Sequence, residues 1–146
     1  MIFLLDTNIA SLLFRSEFPP EVLLEHLNDA GRENVYLSSI TYEEFVQGAL
    51  AVVRQAETKR RSTAPGYLLL TRQIEFLASF PLLEFDVAAE SLFENFSPQL
   101  RRAGNRDCKI AACALRYGAT VITQNLRHFQ QIPNLTCSDW AQSLGT

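Results

Sequence analysis

The first five residues, Met1–Leu5 (MIFLL), are all apolar, show no alternation, and run directly into Asp6. A strand with one wet face alternates polar and apolar side chains. A continuous apolar strand belongs in a parallel sheet covered on both faces. Parallel neighbours need crossover connections, usually helices, so a chain that opens this way has to place helices between its strands.

The rest of the sequence does so. Thr7–Phe14 reads as a short helix. Pro19 and Pro20 open a second, with Val22, Leu23 and Leu27 on one side and Gly31 as its stop. Val35–Leu37 reads as a strand. Thr41 and Glu44 then have capping-box spacing for a third helix, which frays in the basic, turn-rich "TKRRSTAPG". Tyr67–Ser79 reads as a helix, Pro81–Phe85 as a strand, and Asp86 starts a helix reaching about Leu100. "RRAGNR" reads as a basic loop, and Asp107–Tyr117 as a helix ended by Gly118. Ala119–Thr123 and Leu135–Cys137 complete the strands. Strands alternating with helices predict an α/β sandwich on a parallel sheet. With 146 residues and no linker or repeat, residues 1–146 form a single domain.

In open parallel sheets ligands sit beyond the carboxyl ends of the strands. Asp6 lies there, after the first strand. Glu44 falls in the first turn of the helix after the second, Asp107 opens the helix before the "ATVIT" strand, and Thr123 and Asn125 follow that strand. If the first and fourth strands are neighbours, all five residues converge on one edge. Each residue taken alone also has a structural role open to it: Asp6 as N-cap, Glu44 as half of a capping box, Asp107 as a helix-dipole acid, Asn125 as a turn residue.

Three carboxylates held close raise one another's pKa and call for protons or cations. With no His, Cys or Lys in the set, the donors are hard oxygens, which suit Mg²⁺ or Mn²⁺ rather than zinc. The implied chemistry is phosphodiester cleavage by a metal-activated water. Net charge is −3, so no global field announces nucleic acid. The segment "RRAGNRDCK" nonetheless sets Arg101, Arg102, Arg106 and Lys109 beside one of the acids, where they could hold a phosphate backbone. "RQAETKRR" (54–61) is a second basic cluster, read as surface.

Other classes fall away. Cys108, Cys113 and Cys137 form no CxxC pair, and they read as reduced thiols of a cytoplasmic protein. No apolar run spans a bilayer, and Asp6 cuts the first one too short for a signal peptide. A phosphotransferase with a nucleophilic Asp would need a second Asp where Asn8 stands. Neither a G-x-S-x-G elbow nor a P-loop is present.

Five ordered blocks, "FLLDTNIASLL", "LSSITYEEFVQGA", "PLLEFDVAAESLFENF", "GNRDCKIAACAL" and "GATVITQNLRHFQQIPNL", together resemble the PIN-domain ribonucleases, and among them the VapC-type toxins of bacterial toxin–antitoxin pairs. The likeness covers nearly the whole chain. It implies strand order 3-2-1-4-5 and a metal-dependent endoribonuclease acting as a toxin. Asp6, Glu44 and Asp107 match the metal-holding acids, with Mg²⁺ or Mn²⁺ as cofactor. Thr7 and Thr123 match hydroxyls near the metals. Many relatives carry a fourth acid beyond the fourth strand, where this chain has Asn125 and His128. Asn125 is expected as a neutral peripheral contributor, and His128 as a surface or backbone-bonded residue. That departure keeps open a second reading, a PIN fold that binds RNA or protein without cutting. The resemblance also implies a homodimer silenced by a small antitoxin. Leu68, Leu69, Leu70, Ile74, Phe76 and Leu77 on one helix are more apolar surface than one core-facing stripe requires.

Overall fold

A computed structural model describes residues 1–142. Its order is β1 (Phe3–Leu5), α1 (Thr7–Arg15), α2 (Glu21–Ala30), a 3₁₀ turn (Arg32–Asn34), β2 (Val35–Ser38), α3 (Ser39–Thr58), α4 (Ala64–Ala78), β3 (Leu82–Leu83), α5 (Val87–Glu94), α6 (Pro98–Ala103), α7 (Asn105–Tyr117), β4 (Thr120–Ile122), α8 (Leu126–Phe129) and β5 (Cys137–Ser138). The five strands form one sheet in the order β3-β2-β1-β4-β5, and every pairing is parallel. This is the α/β architecture and strand order expected above. β1 lies at the centre, with Leu4 opposite Tyr36 on one side and Val121 on the other.

The unbroken apolar character of β1 has the predicted cause. Leu5 joins Val35, Leu37 and Ile122 in one apolar cluster, packed on Ile9 and Ala10 of α1, Leu23 and Leu27 of α2, Phe45 of α3 and Leu77 of α4. Leu4 joins Val121 and Leu83 in a second cluster, packed on Ile110, Ala111 and Ala114 of α7 and Phe129 of α8. Successive residues of a strand point to opposite faces, so adjacent leucines serve both cores. Leu4 and Leu5 are each fully buried.

Several local expectations are corrected. Thr41 and Glu44 do not form a capping box. α3 begins at Ser39, directly after β2, and Ser38 Oγ accepts the Thr41 N–H at 3.3 Å. Thr41 and Glu44 are therefore inside the helix, and the Glu44 carboxylate is free for other work. The helix expected from Asp86 to Leu100 is two helices. Pro98 has no N–H to donate inside a helix, so it starts α6 instead, with Ser97 Oγ accepting the Leu100 N–H. The basic loop is mostly helical: Arg101 and Arg102 close α6, and Asn105 and Arg106 open α7, leaving Gly104 as the joint. Asp107 consequently stands at the third position of α7 rather than opening it. β2 extends one residue beyond the expected Val35–Leu37, the other strands are shorter than expected, and α4 starts three residues before Tyr67. Gly118 ends α7 at φ +69°, the left-handed region.

Candidate active site

Asp6 is placed by the strand before it and the helix after it. Its N–H continues the β1–β4 ladder to Ile122 O at 3.0 Å, and its Oδ1 caps α1 by accepting the Ile9 N–H at 2.9 Å. The structural role open to Asp6 is thus filled, but it uses one oxygen only. The residue is 2% exposed. Burial is the main reason its pKa is pushed up to about 6, against the hydrogen bonds from Thr123 and Ile9; the charges of Asp107 and Glu44 raise it further.

Thr123 is fully buried at the end of β4. Its hydroxyl accepts the Asn125 N–H at 2.9 Å and, standing beside Asp6, helps hold the Asp6 pKa down. The Asn125 side chain, near Asp107, lowers the Asp107 pKa.

Glu44 is half-buried on α3, facing α1. Thr7 Oγ1 donates to its Oε1 at 2.9 Å and lies 2.9 Å from the Thr41 hydroxyl. Thr7 has a single hydroxyl proton, which goes to the carboxylate, so Thr41 donates to Thr7. Burial raises the Glu44 pKa; Thr7 and Arg106 oppose it, and Asp107 adds to it. Burial likewise raises that of Asp107, opposed by His128 and Asn125. Asp6 feels the charges of both other acids, and Glu44 that of Asp107.

The structure places Asp6, Thr7, Thr123 and Asn125 just after β1 and β4, with Glu44 joined to Thr7 and Asp107 beside Asn125 and His128. It divides the four cations. Arg106 reaches the acids, with a nitrogen 3.8 Å from Glu44 Oε2 and another donating to Gln47 Oε1 at 2.8 Å. Arg101 and Arg102 instead line an open groove of about 590 Å³ with Phe93, Pro98 and Asn105. The Lys109 ammonium sits 5.5 Å from the Phe93 ring centre, a cation–π distance.

His128 approaches Asp107 and is mostly buried, neither on the surface nor hydrogen-bonded to backbone through Nε2. Its Nε2 lies 4.0 Å from Asp107 Oδ2, and this atom is buried without a hydrogen-bond partner among the described residues. A Cβ at position 104 would stand 2.8 Å from it, so Gly104 is what allows the ring its place. The available signal was position: His128 stands where many relatives carry an acid.

The donor set fits a hard divalent cation in its chemistry: oxygen ligands, shared negative charge and an amide carbonyl alongside. Among the described residues, no three His, Cys, Asp or Glu side chains are disposed around one point. Thr7 and Arg106 hold Glu44 on one side, while Asn125 and His128 hold Asp107 on the other.

Sheet order and a carboxylate-rich edge together define an α/β protein of the acidic-site type. The model of the PIN domain matches residues 3–135, and the chain belongs to that family. It is 29% identical over 143 residues to Ribonuclease VapC1 of Haemophilus influenzae, covering 97% of this chain and 100% of that protein. It is 30% identical over 142 residues to the tRNA(fMet)-specific endonuclease VapC of Salmonella typhimurium, covering 94% and 97%. Among solved structures, a chain of DNA-bound VapBC from Salmonella typhimurium superposes with a TM-score of 0.74 at 29% identity, over 96% of this chain and 98% of that one. A chain of VapBC-1 from nontypeable Haemophilus influenzae gives 0.71 at 26%, over 97% and 100%.

Proposed function

We propose that this chain is a Mg²⁺- or Mn²⁺-dependent endoribonuclease and the toxin of a toxin–antitoxin pair. The observation that supports the reading best is the placing of Asp6, Glu44 and Asp107, each with a pKa raised chiefly by burial, at the carboxyl edge of a PIN sheet. Relatives named ribonuclease and endonuclease, matched over nearly their full lengths, support the activity. Solved VapBC structures support the pairing with a small antitoxin.

Asp6, Glu44 and Asp107 would hold the metal, with the Asn125 carbonyl at its edge. When bound, the metal supplies Lewis acidity at the phosphate and activates the attacking water. The protein's own groups set the geometry. Thr123 stands beside the Asp6 carboxylate, the Thr41–Thr7 pair fixes Glu44, and Asn125 and His128 bracket Asp107. Arg106 neutralises Glu44 and is placed to receive a phosphate, with Arg101, Arg102 and Lys109 extending a basic path for the strand. The chain acts as one domain, residues 1–146, in the cytoplasm where its RNA is found, and as a homodimer.

Purified protein should cleave RNA with added Mn²⁺ or Mg²⁺, lose the activity in EDTA, and lose it in the Asp6→Asn variant while remaining folded. RNA binding without cleavage in every metal would instead assign a PIN fold that binds only, a reading that Asn125 in place of an acid favours. Full activity in EDTA or in Asp6→Asn would overturn the metal assignment.

A further inference from the structure

Beside the acids, between α1, α3 and α4, lies a pocket of about 260 Å³. Thr7 and Glu44 form its end at the acid cluster; Ser11 and Arg15 continue it along α1, and Gly48 and Gln73 line it from α3 and α4. Its volume is just below the ~300–1,000 Å³ of sites for drug-sized ligands, enough for one planar ring system and too little for a folded stem.

Two features have no role in the fold. Gln73 occupies a core-facing position of α4, on the stripe that includes Leu77, and is only 5% exposed. Its Oε1 is buried with no hydrogen-bond partner among the described residues. A buried amide left unpaired costs stability that a leucine would not. Gly48 lies inside the long helix α3, where glycine is less stable than alanine. A Cβ built on it meets nothing within 4 Å, so neither packing nor backbone requires a glycine. Its missing side chain leaves the pocket open.

We propose that this pocket is a nucleobase subsite that sets which residue of the RNA lies next to the cut. The inference rests on the nuclease reading above. The pocket opens at Glu44, so a base lodged in it would belong to a nucleotide adjoining the phosphodiester held by the acids. Gln73 offers a donor and an acceptor on one planar group, the pattern that pairs with a base edge. Ser11 adds a hydroxyl, and Arg15 is a cation for the next phosphate. Gly48 leaves space for the larger ring system of a purine.

The test is cleavage of a random-sequence RNA pool with sequencing of the new ends, for wild type, Gln73→Leu and Gly48→Val, with thermal melting of each. Wild type should prefer one base at a fixed offset from the cut. Gln73→Leu should lose roughly tenfold or more of that preference and melt at or above the wild-type temperature. Gly48→Val should turn the preference towards pyrimidines at the same offset. Variants that lose rate equally at all sequences, or keep the wild-type profile, overturn the inference and leave the pocket to a protein partner. A wild-type protein that cuts no RNA overturns the nuclease reading, and this inference falls with it.

Discussion

The Thr7 hydroxyl donates to Glu44 Oε1 across 2.9 Å and a separation of 37 residues. This bond joins α1 to α3 at the acid edge and fixes the rotamer of one of the three carboxylates. Thr7→Val keeps the shape and removes the donor. The loss should cost about 1 kcal/mol of stability, read from denaturant midpoints. Cleavage should fall by ~10–100-fold, the usual cost of losing a group that orients a metal-holding side chain. A fall in stability with unchanged cleavage would make Thr7 a purely structural link.

Asp6 gives the site a pH signature. Its carboxyl has an ordinary value of 3.8 and is raised to about 6 in the fold. Between these values the folded chain binds more protons than the unfolded one, so stability falls as pH rises through that window. The deficit is complete above pH ~6 and is on the order of 3 kcal/mol. Asp6→Asn removes the charge, and Asn still caps a helix well. The variant should be more stable than wild type by about that amount at pH ~7.5, with the gap closing as pH falls towards ~4. Denaturant titrations at the two pH values check it, and equal stability at the higher pH would refute the buried-charge penalty. Activity should be absent at both.

The site was partly legible in the sequence because its residues sit at joints. Asp6 was visible as a charge at the end of a strand that could only be buried. Asp107 and Thr123 were visible beside the helix and strand that carry them. Glu44 stands out as an acid early in the helix after β2, with a capping box as its structural alternative; Ser38 is the cap instead, since the helix starts straight from β2. Windows of apolar periodicity joined α5 to α6, although Pro98 marked the break. Gln73 was not legible at all. It reads as one polar residue among leucines, and only the packing of α4 shows that it faces inward. His128 stands out by position, but its approach to Asp107 is not legible, because it depends on the bare backbone of Gly104, twenty-four residues earlier in the chain.

The four cations of residues 101–109 should separate in a binding experiment. Arg106 stands at the acids, while Arg101 and Arg102 line the neighbouring groove. Each true phosphate contact replaced by Ala should reduce the slope of log affinity against log salt by somewhat under one unit (~0.7 for a single strand), similarly for all sequences. Arg106→Ala should do so and also leave Glu44 uncompensated, so its cleavage rate should fall more than its affinity. If all four replacements leave both the affinity and the slope unchanged, this face does not carry the strand.

Assembly is open to an equally direct test. α4 turns Gly66, Gln73 and Leu77 inward, yet Tyr67, Leu68 and Ile74 are each about half exposed, at 52%, 50% and 52%, and Val52 of α3 is 41% exposed. The two helices do pack on each other, with Val53 nearly buried against Gly66, where an added Cβ would stand 2.7 Å from the Val53 side chain. That contact accounts for the inward residues and leaves the outward ones uncovered. An apolar patch left on a folded surface marks a partner site, and a self-complementary patch closes a two-fold dimer. Leu68→Glu with Ile74→Lys should therefore turn a dimer into a monomer in equilibrium sedimentation at tens of micromolar (on the order of the range in which weak dimers persist). The pair should change monomer stability little, because neither side chain belongs to the two apolar cores. A wild-type chain that is already monomeric under these conditions would refute the dimer and leave the nuclease assignment standing.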